Sequence, residues 1–125
     1  MARTTIRSQR KSSGGRYKSI KGKILSQLAR FPALTKMGKE AKVTVIRGRG
    51  GTIKLRTLEV QYANVMDAQG KTQKAEILTV TDNPSNPHLV RRNIMTKGAT
   101  IDTKIGKAKI TNRPGQEGMV NAKLL

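Results

Sequence analysis

Apolar and polar positions begin to alternate only after residue 40, and the alternation then recurs in short runs to the end of the chain. Val43-Thr44-Val45-Ile46 is β-branched, a composition that suits a pleated strand, and the turn cluster Arg47-Gly48-Arg49-Gly50-Gly51 follows it. Ile53-Lys54-Leu55-Arg56 alternates strictly, and Leu58 and Val60 continue with the phase shifted by one. A slip of phase within one strand predicts a bulge near Thr57. Ala63 to Met66 is short and apolar, Asp67-Ala68-Gln69-Gly70 reads as a turn, and Lys74 to Thr81 reads as a strand. Asp82-Asn83-Pro84-Ser85-Asn86-Pro87 is dense turn chemistry. Leu89 to Thr96 is apolar and basic and ends before Gly98. Thr100–Lys104 and Lys107–Thr111 flank Ile105-Gly106 as a tight hairpin. A turn at Arg113-Pro114-Gly115-Gln116-Glu117-Gly118 precedes a last strand, Met119 to Leu124. About six short strands separated by turns, with no long helix, predict an all-β body over residues 40–125, a small antiparallel barrel or sandwich.

Residues 1–39 follow no such pattern. Ile24, Leu25, Leu28 and Phe31 stand at helical spacing, but two turns before Pro32 make a short helix that needs a surface to pack on. Pro32 to Lys39 reads as a connector. Leu, Ile, Val and Phe are too sparse before residue 40 to build a core, and only just sufficient after it. The reading is a basic, disordered N-terminal arm and connector, 1–39, joined to a folded body.

Charge sharpens this division. The chain carries 26 Lys and Arg against 7 acids, a net charge of +19 in 125 residues. All seven acids lie at or beyond Glu40, so the first 39 residues hold cations only. A charge of this size opposes compaction unless a polyanion offsets it. Between Arg3 and Lys23 the cations are interleaved with Ser, Thr and a Gly14-Gly15 pair, residues that suit phosphate through guanidinium forks, hydroxyls and accessible backbone N–H groups.

The candidate phosphate contacts are Arg3, Arg7, Arg10, Lys11, Arg16, Lys18, Lys21 and Lys23 in the arm, with Arg47, Arg49, Arg91, Arg92, Lys97 and Arg113 in the body. Arg91 and Arg92 are adjacent. On a strand they would face opposite ways, one toward a nucleic acid and the other toward an acid such as Asp82 or Asp102. Tyr17, Phe31 and Tyr62 are the only aromatic residues, too few for a stacking platform, so recognition is expected to depend on backbone charge and shape.

Catalytic and metal chemistry finds little support. There is no Cys, hence no disulfide and no thiolate metal site, and His88 is the sole histidine, read as a turn-capping residue. Gly70-Lys71-Thr72 resembles the end of a phosphate-binding loop, but Val65 stands where its first glycine is required. The scattered acids indicate no two-metal site. No apolar run is long enough to span a membrane, and Met1-Ala2-Arg3 leads into no hydrophobic signal region. The expectation is a soluble cytoplasmic protein that is not an enzyme, with no cofactor, metal, membrane or small-molecule substrate. Charge alone equally permits an architectural DNA- or RNA-binding protein.

One further set of residues narrows the choice. Arg7-Ser8-Gln9-Arg10-Lys11-Ser12-Ser13-Gly14-Gly15-Arg16 resembles the opening of the "eight-e" family of small-subunit ribosomal proteins. So do Arg49-Gly50-Gly51 with its Lys-x-Arg strand, Asn83-Pro84-Ser85-Asn86, Val90-Arg91-Arg92-Asn93-Ile94-Met95-Thr96-Lys97-Gly98, and the closing Arg113 to Gly118 with Val120-Asn121-Ala122. The resemblance implies a β-barrel body and an N-terminal extension threaded into small-subunit ribosomal RNA, beside neighbouring ribosomal proteins. Eukaryotic members carry a long insertion near Ile105-Gly106, and its absence here resembles the archaeal form.

Overall fold

The computed structural model describes residues 7–18, 24 and 28–125, and the chain divides into two compact units, Met1–Pro32 and Ala33–Leu125. The second unit is all-β. Its strands are β1 (Lys36–Met37), β2 (Lys42–Arg47), β3 (Ile53–Val60), β4 (Tyr62–Met66), β5 (Thr72–Asp82), β6 (Thr100–Thr103), β7 (Lys107–Ile110) and β8 (Asn121–Leu124).

Strands β4-β5-β6-β7-β8 close a barrel, and β1-β3-β2 form a separate three-stranded sheet. Every neighbour in the barrel is antiparallel except the closing pair, where β4 runs parallel to β8. That seam matches Asn64, Val65 and Met66 with Asn121, Ala122 and Lys123, and the Asn64 amide donates to Asn121 Oδ1 at 3.1 Å. Five strands enclose little volume, so the interior takes large residues only against small ones. Ile101 lies opposite Ala108, and Val65 and Ile110 both lie opposite Ala122; all five are buried.

β5 is the longest strand and carries two register shifts, one between Ile77 and Thr79 and one between Val80 and Asp82. Each extra residue tightens the local twist, which lets one strand curve around a small barrel. The shift also explains the phase of burial. Ala75 and Ile77 point inward by ordinary alternation, Leu78 is exposed at the bulge, and Val80 is again inside.

The slip of phase expected near Thr57 is present. Val43 pairs with Thr57 and Lys42 with Glu59, so Leu58 is the extra residue of β3. Beyond that bulge β3 changes its surroundings. Thr57 and Val60 are buried, whereas Ile53, Lys54 and Leu55 are exposed together with nearly all of β2. The β2–β3 hairpin is therefore a ribbon standing off the core.

Polar residues seal the barrel where the chain leaves it. Asn83 is fully buried: its amide donates to the Ile94 carbonyl at 3.3 Å, and its Oδ1 accepts from Thr96 Oγ1 at 2.9 Å and the Ser85 N–H at 3.1 Å. Thr35 is buried with its hydroxyl donating to the Thr57 carbonyl at 2.6 Å, which ties the chain before β1 to β3.

Two segments read as turns or strand contain helix. Pro87–Arg92 is a 3₁₀ helix capped by Asn86, whose Oδ1 accepts the His88 backbone N–H at 3.0 Å. Pro114–Glu117 is one turn of helix, α1, with Pro114 at its start and Gly118 in the left-handed region at φ +74° as its stop.

Gly118 also lies against β3, where a Cβ at this position would come within 2.7 Å of Leu55 Cβ. Gly70, at φ +82° in the β4–β5 turn, faces open space. Gly118→Ala should therefore cost both strain and a clash, roughly 2–4 kcal/mol, and Gly70→Ala strain alone, about 1 kcal/mol. Urea denaturation of the two variants would check the difference, and equal losses would mean that Leu55 and α1 part without cost.

Candidate nucleic-acid interface

Three groups of cations stand on projecting turns, and each is positioned by local backbone chemistry. In the first unit, residues 7–18 form a hairpin loop, although the sequence predicts no order there. Arg10 and Arg16 are bridge partners, the Lys11 N–H donates to the Gly15 carbonyl at 2.8 Å, and the Tyr17 N–H donates to the Gln9 carbonyl at 3.3 Å. Gly14 turns the chain at φ +84°, which only glycine adopts without strain, and its carbonyl accepts from Arg10 Nη1 at 2.9 Å. The loop gathers Arg7, Arg10, Lys11, Arg16 and Lys18, all exposed. Arg7 places its guanidinium 4.2 Å from the centre of the Tyr17 ring, and the Lys11 ammonium lies 5.8 Å from it. Arg3, Lys21 and Lys23 lie outside the described residues, as does Leu25 within the helical pattern expected before Pro32.

The second group is on the β2–β3 ribbon. Arg47 ends β2, and Arg49 opens a 3₁₀ turn in which Gly50 and Gly51 both have positive φ. The Gly48 N–H donates to the Thr52 carbonyl at 2.6 Å, and Thr52 Oγ1 donates to the Arg49 carbonyl at 3.1 Å, so the tip is closed by its own hydrogen bonds. Cross-strand pairing sorts the ribbon into two faces. Ile46 with Lys54 and Thr44 with Arg56 share one; Val45 with Leu55 and Arg47 with Ile53 share the other. Lys54 and Arg56, the Lys-x-Arg of the family resemblance, are cations of the ribbon that are not among the candidate contacts read from the sequence. The Lys-x-Arg alternation after the Gly-rich turn is the signal that could have found them. Lys54 reaches Gln116 of α1 at 3.4 Å, and Leu55 bridges to Glu117, so Arg113 at the start of α1 belongs to the same neighbourhood as the ribbon.

The third group is at the β5–β6 connection. Arg91 and Arg92 end the 3₁₀ helix and are both exposed, followed by Asn93 in the left-handed region at φ +49°. The strand geometry expected for this pair is thus incorrect, because a Pro at the first position and the Asn86 cap start a helical turn instead. Among the described residues neither arginine pairs with Asp82 or Asp102. His88 contributes only its backbone N–H to the cap, so the capping side chain is that of Asn86. Lys97 is exposed in the next turn, ahead of Gly98 at φ +86°.

One lysine outside these groups is paired with an acid. Lys104 Nζ lies 2.6 Å from Glu76 Oε2, and Gln61 donates to Glu76 Oε1 at 3.2 Å. The hydrogen bond from Lys104, then that from Gln61, then the lysine charge hold the Glu76 pKa below its ordinary value; the same pair raises that of Lys104. A depressed carboxyl contributes stability above its unfolded pKa and loses it as pH falls through the folded one. A raised lysine contributes below its unfolded pKa and loses it as pH rises through the folded one. In Lys104→Met, the Glu76 carboxyl should therefore titrate at higher pH than in the parent, as followed by carboxyl carbon NMR. An unmoved titration would show that Gln61 alone sets it.

Among the described residues, no group of three His, Asp or Glu side chains is arranged to hold a metal. The features together define a class: a small, strongly basic β-barrel protein with exposed cations on both its strands and its turns. Comparison with known proteins makes this particular. The family model described as Ribosomal protein S8e matches residues 4–125. A protein of Methanocorpusculum labreanum named small ribosomal subunit protein eS8 is 48% identical over 120 residues, 95% of each chain. One of the same name from Methanococcus aeolicus is 45% identical over 119 residues, 94% of this chain and 93% of its own. The chain belongs to the ribosomal protein S8e family.

Proposed function

We propose that this protein is a structural constituent of the small ribosomal subunit in the cytoplasm, and that it binds ribosomal RNA through phosphate contacts from its basic arm and barrel turns. The single observation that carries the RNA contact is the placement of charge. Seven acids cannot neutralise 26 cations, and the arm has none to pair with, so a polyanion must supply the compensation. Folded RNA presents phosphates in the required density, and each one neutralised releases condensed counterions. The three loop groups fit contacts that set position and orientation more than sequence. The arm, Arg3 to Lys23, provides most of the binding; Arg47, Arg49, Arg91, Arg92, Lys97 and Arg113 provide the rest. The proposal assigns the protein no catalytic step, cofactor or small-molecule substrate, and gives it other ribosomal proteins as neighbours.

The test is a salt titration against small-subunit ribosomal RNA, with full-length protein and a variant lacking residues 1–23. If about two-thirds of the arm's eight cations meet phosphate, the deletion should flatten the slope of log K against log[salt] by about four units. Weak binding by the body should survive. An unchanged slope would remove the arm from the interface. Sedimentation with DNA in place of 30S particles at high salt would instead favour an architectural protein outside the ribosome.

A further inference from the structure

A phosphate-binding loop needs cations and a turn, and the hairpin at residues 7–18 has both without using its aromatic ring. Tyr17 is the only aromatic residue before Phe31. It lies outside the unit that holds the hydrophobic core, and its residue surface is 44% exposed. Yet its backbone is fixed by the hydrogen bond to Gln9, and the Arg7 guanidinium lies over its ring at 4.2 Å. We propose that Tyr17 is a base-stacking site, which takes one unpaired RNA base onto its exposed ring while the surrounding cations hold the flanking phosphates. The inference rests on the RNA-binding reading given above.

Three features carry it. A guanidinium against a tyrosine forms a stacked pair, and both groups are surfaces on which RNA bases stack. The Lys11 ammonium, at 5.8 Å, is at the outer range of such contacts and can move to a phosphate. Arg10, Arg16 and Lys18 are exposed on the same short loop, so charge for the neighbouring phosphates is within a few residues of the ring. Tyr62 offers the contrast. It also carries a cation, Lys74 at 4.5 Å, but it stands on the barrel wall directly opposite an acid, Glu76, whereas residues 7–18 contain no acid. Stacking is sequence-tolerant because every base has a π face. The site therefore selects unpaired over paired RNA without selecting a particular base.

The experiment compares full-length wild type, Tyr17→Leu and Tyr17→Phe on two probes: an oligoadenylate of about twelve nucleotides, a length in the range of single-strand sites, and an RNA duplex of similar phosphate count. Tyr17→Leu should weaken oligoadenylate binding by roughly 5- to 150-fold, the usual worth of one stacked base, with its salt slope unchanged. Duplex binding should stay within about two-fold, and Tyr17→Phe should bind both probes as wild type does. An equal loss on both probes with a flatter salt slope would mean that the ring only organises Arg7 and Lys11, and would overturn the proposal. Unchanged binding of Tyr17→Leu to both probes would overturn it while leaving the RNA-binding reading standing. Failure of the wild type to bind either RNA would overturn both.

Discussion

The body depends on one pairing, the parallel seam between β4 and β8. Those strands are the first and last of the barrel, 55 residues apart from Met66 to Asn121 by the numbering, and their pairing closes the wall around the core. Closing so long a stretch costs chain entropy that local contacts cannot return, so the intervening strands must already favour curvature. The two bulges of β5 provide it, and the Ala residues opposite Ile and Val allow a five-stranded wall to close without overfilling. The seam also explains why a polar pair, Asn64 and Asn121, is tolerated within the wall: one amide donates to the other across the join.

Once the barrel interior has taken the apolar side chains, the cations can occupy only walls and turns. In the β6–β7 turn, Lys104 meets Glu76 of β5 in a short ion pair that lowers one pKa and raises the other. Lys74, Lys107, Lys109 and Lys123 on the barrel strands and Arg91, Arg92 and Lys97 in the β5–β6 connection are exposed alike. Their exposure follows from the small interior, which has no room for charged side chains.

Local chemistry made part of this legible in the sequence. The phase slip between Leu55 and Leu58 reported the β3 bulge, because a bulge acts directly on alternation. The Ile105-Gly106 hairpin was equally plain, since Gly106 supplies its φ of +152°. Residues whose place depends on distant partners were hidden. Asn83 and Thr35 look like surface residues, and only their hydrogen bonds to Ile94, Thr96 and Thr57 make burial acceptable. β1 is two residues long and exists through its parallel pairing with Glu59 and Val60. Arg91 and Arg92 were misplaced because Asn86-Pro87 signals a turn and a helix start alike, and nothing local decides between them. The positions of the cations were readable, but the pairing of Lys104 with an acid 28 positions away was not.

The β2–β3 ribbon carries this dependence on distant partners furthest. Val45 and Ile53 are 62% and 67% exposed, so the ribbon gains almost nothing from burial within the chain. A two-stranded hairpin alone is marginal in water, and here β3 is anchored through Thr57 and Val60 and along α1, where Lys54 meets Gln116 and Leu55 meets Glu117 and Gly118. Both faces mix charge with apolar surface: Lys54 and Arg56 stand with Ile46 and Thr44, and Val45, Ile53 and Leu55 with Arg47. Basic side chains on a wall of folded RNA lose little by exposure to solvent ions beforehand, whereas β-branched residues remain unfavourably hydrated until something covers them. The ribbon thus keeps apolar side chains in water, while the barrel holds a core of its own.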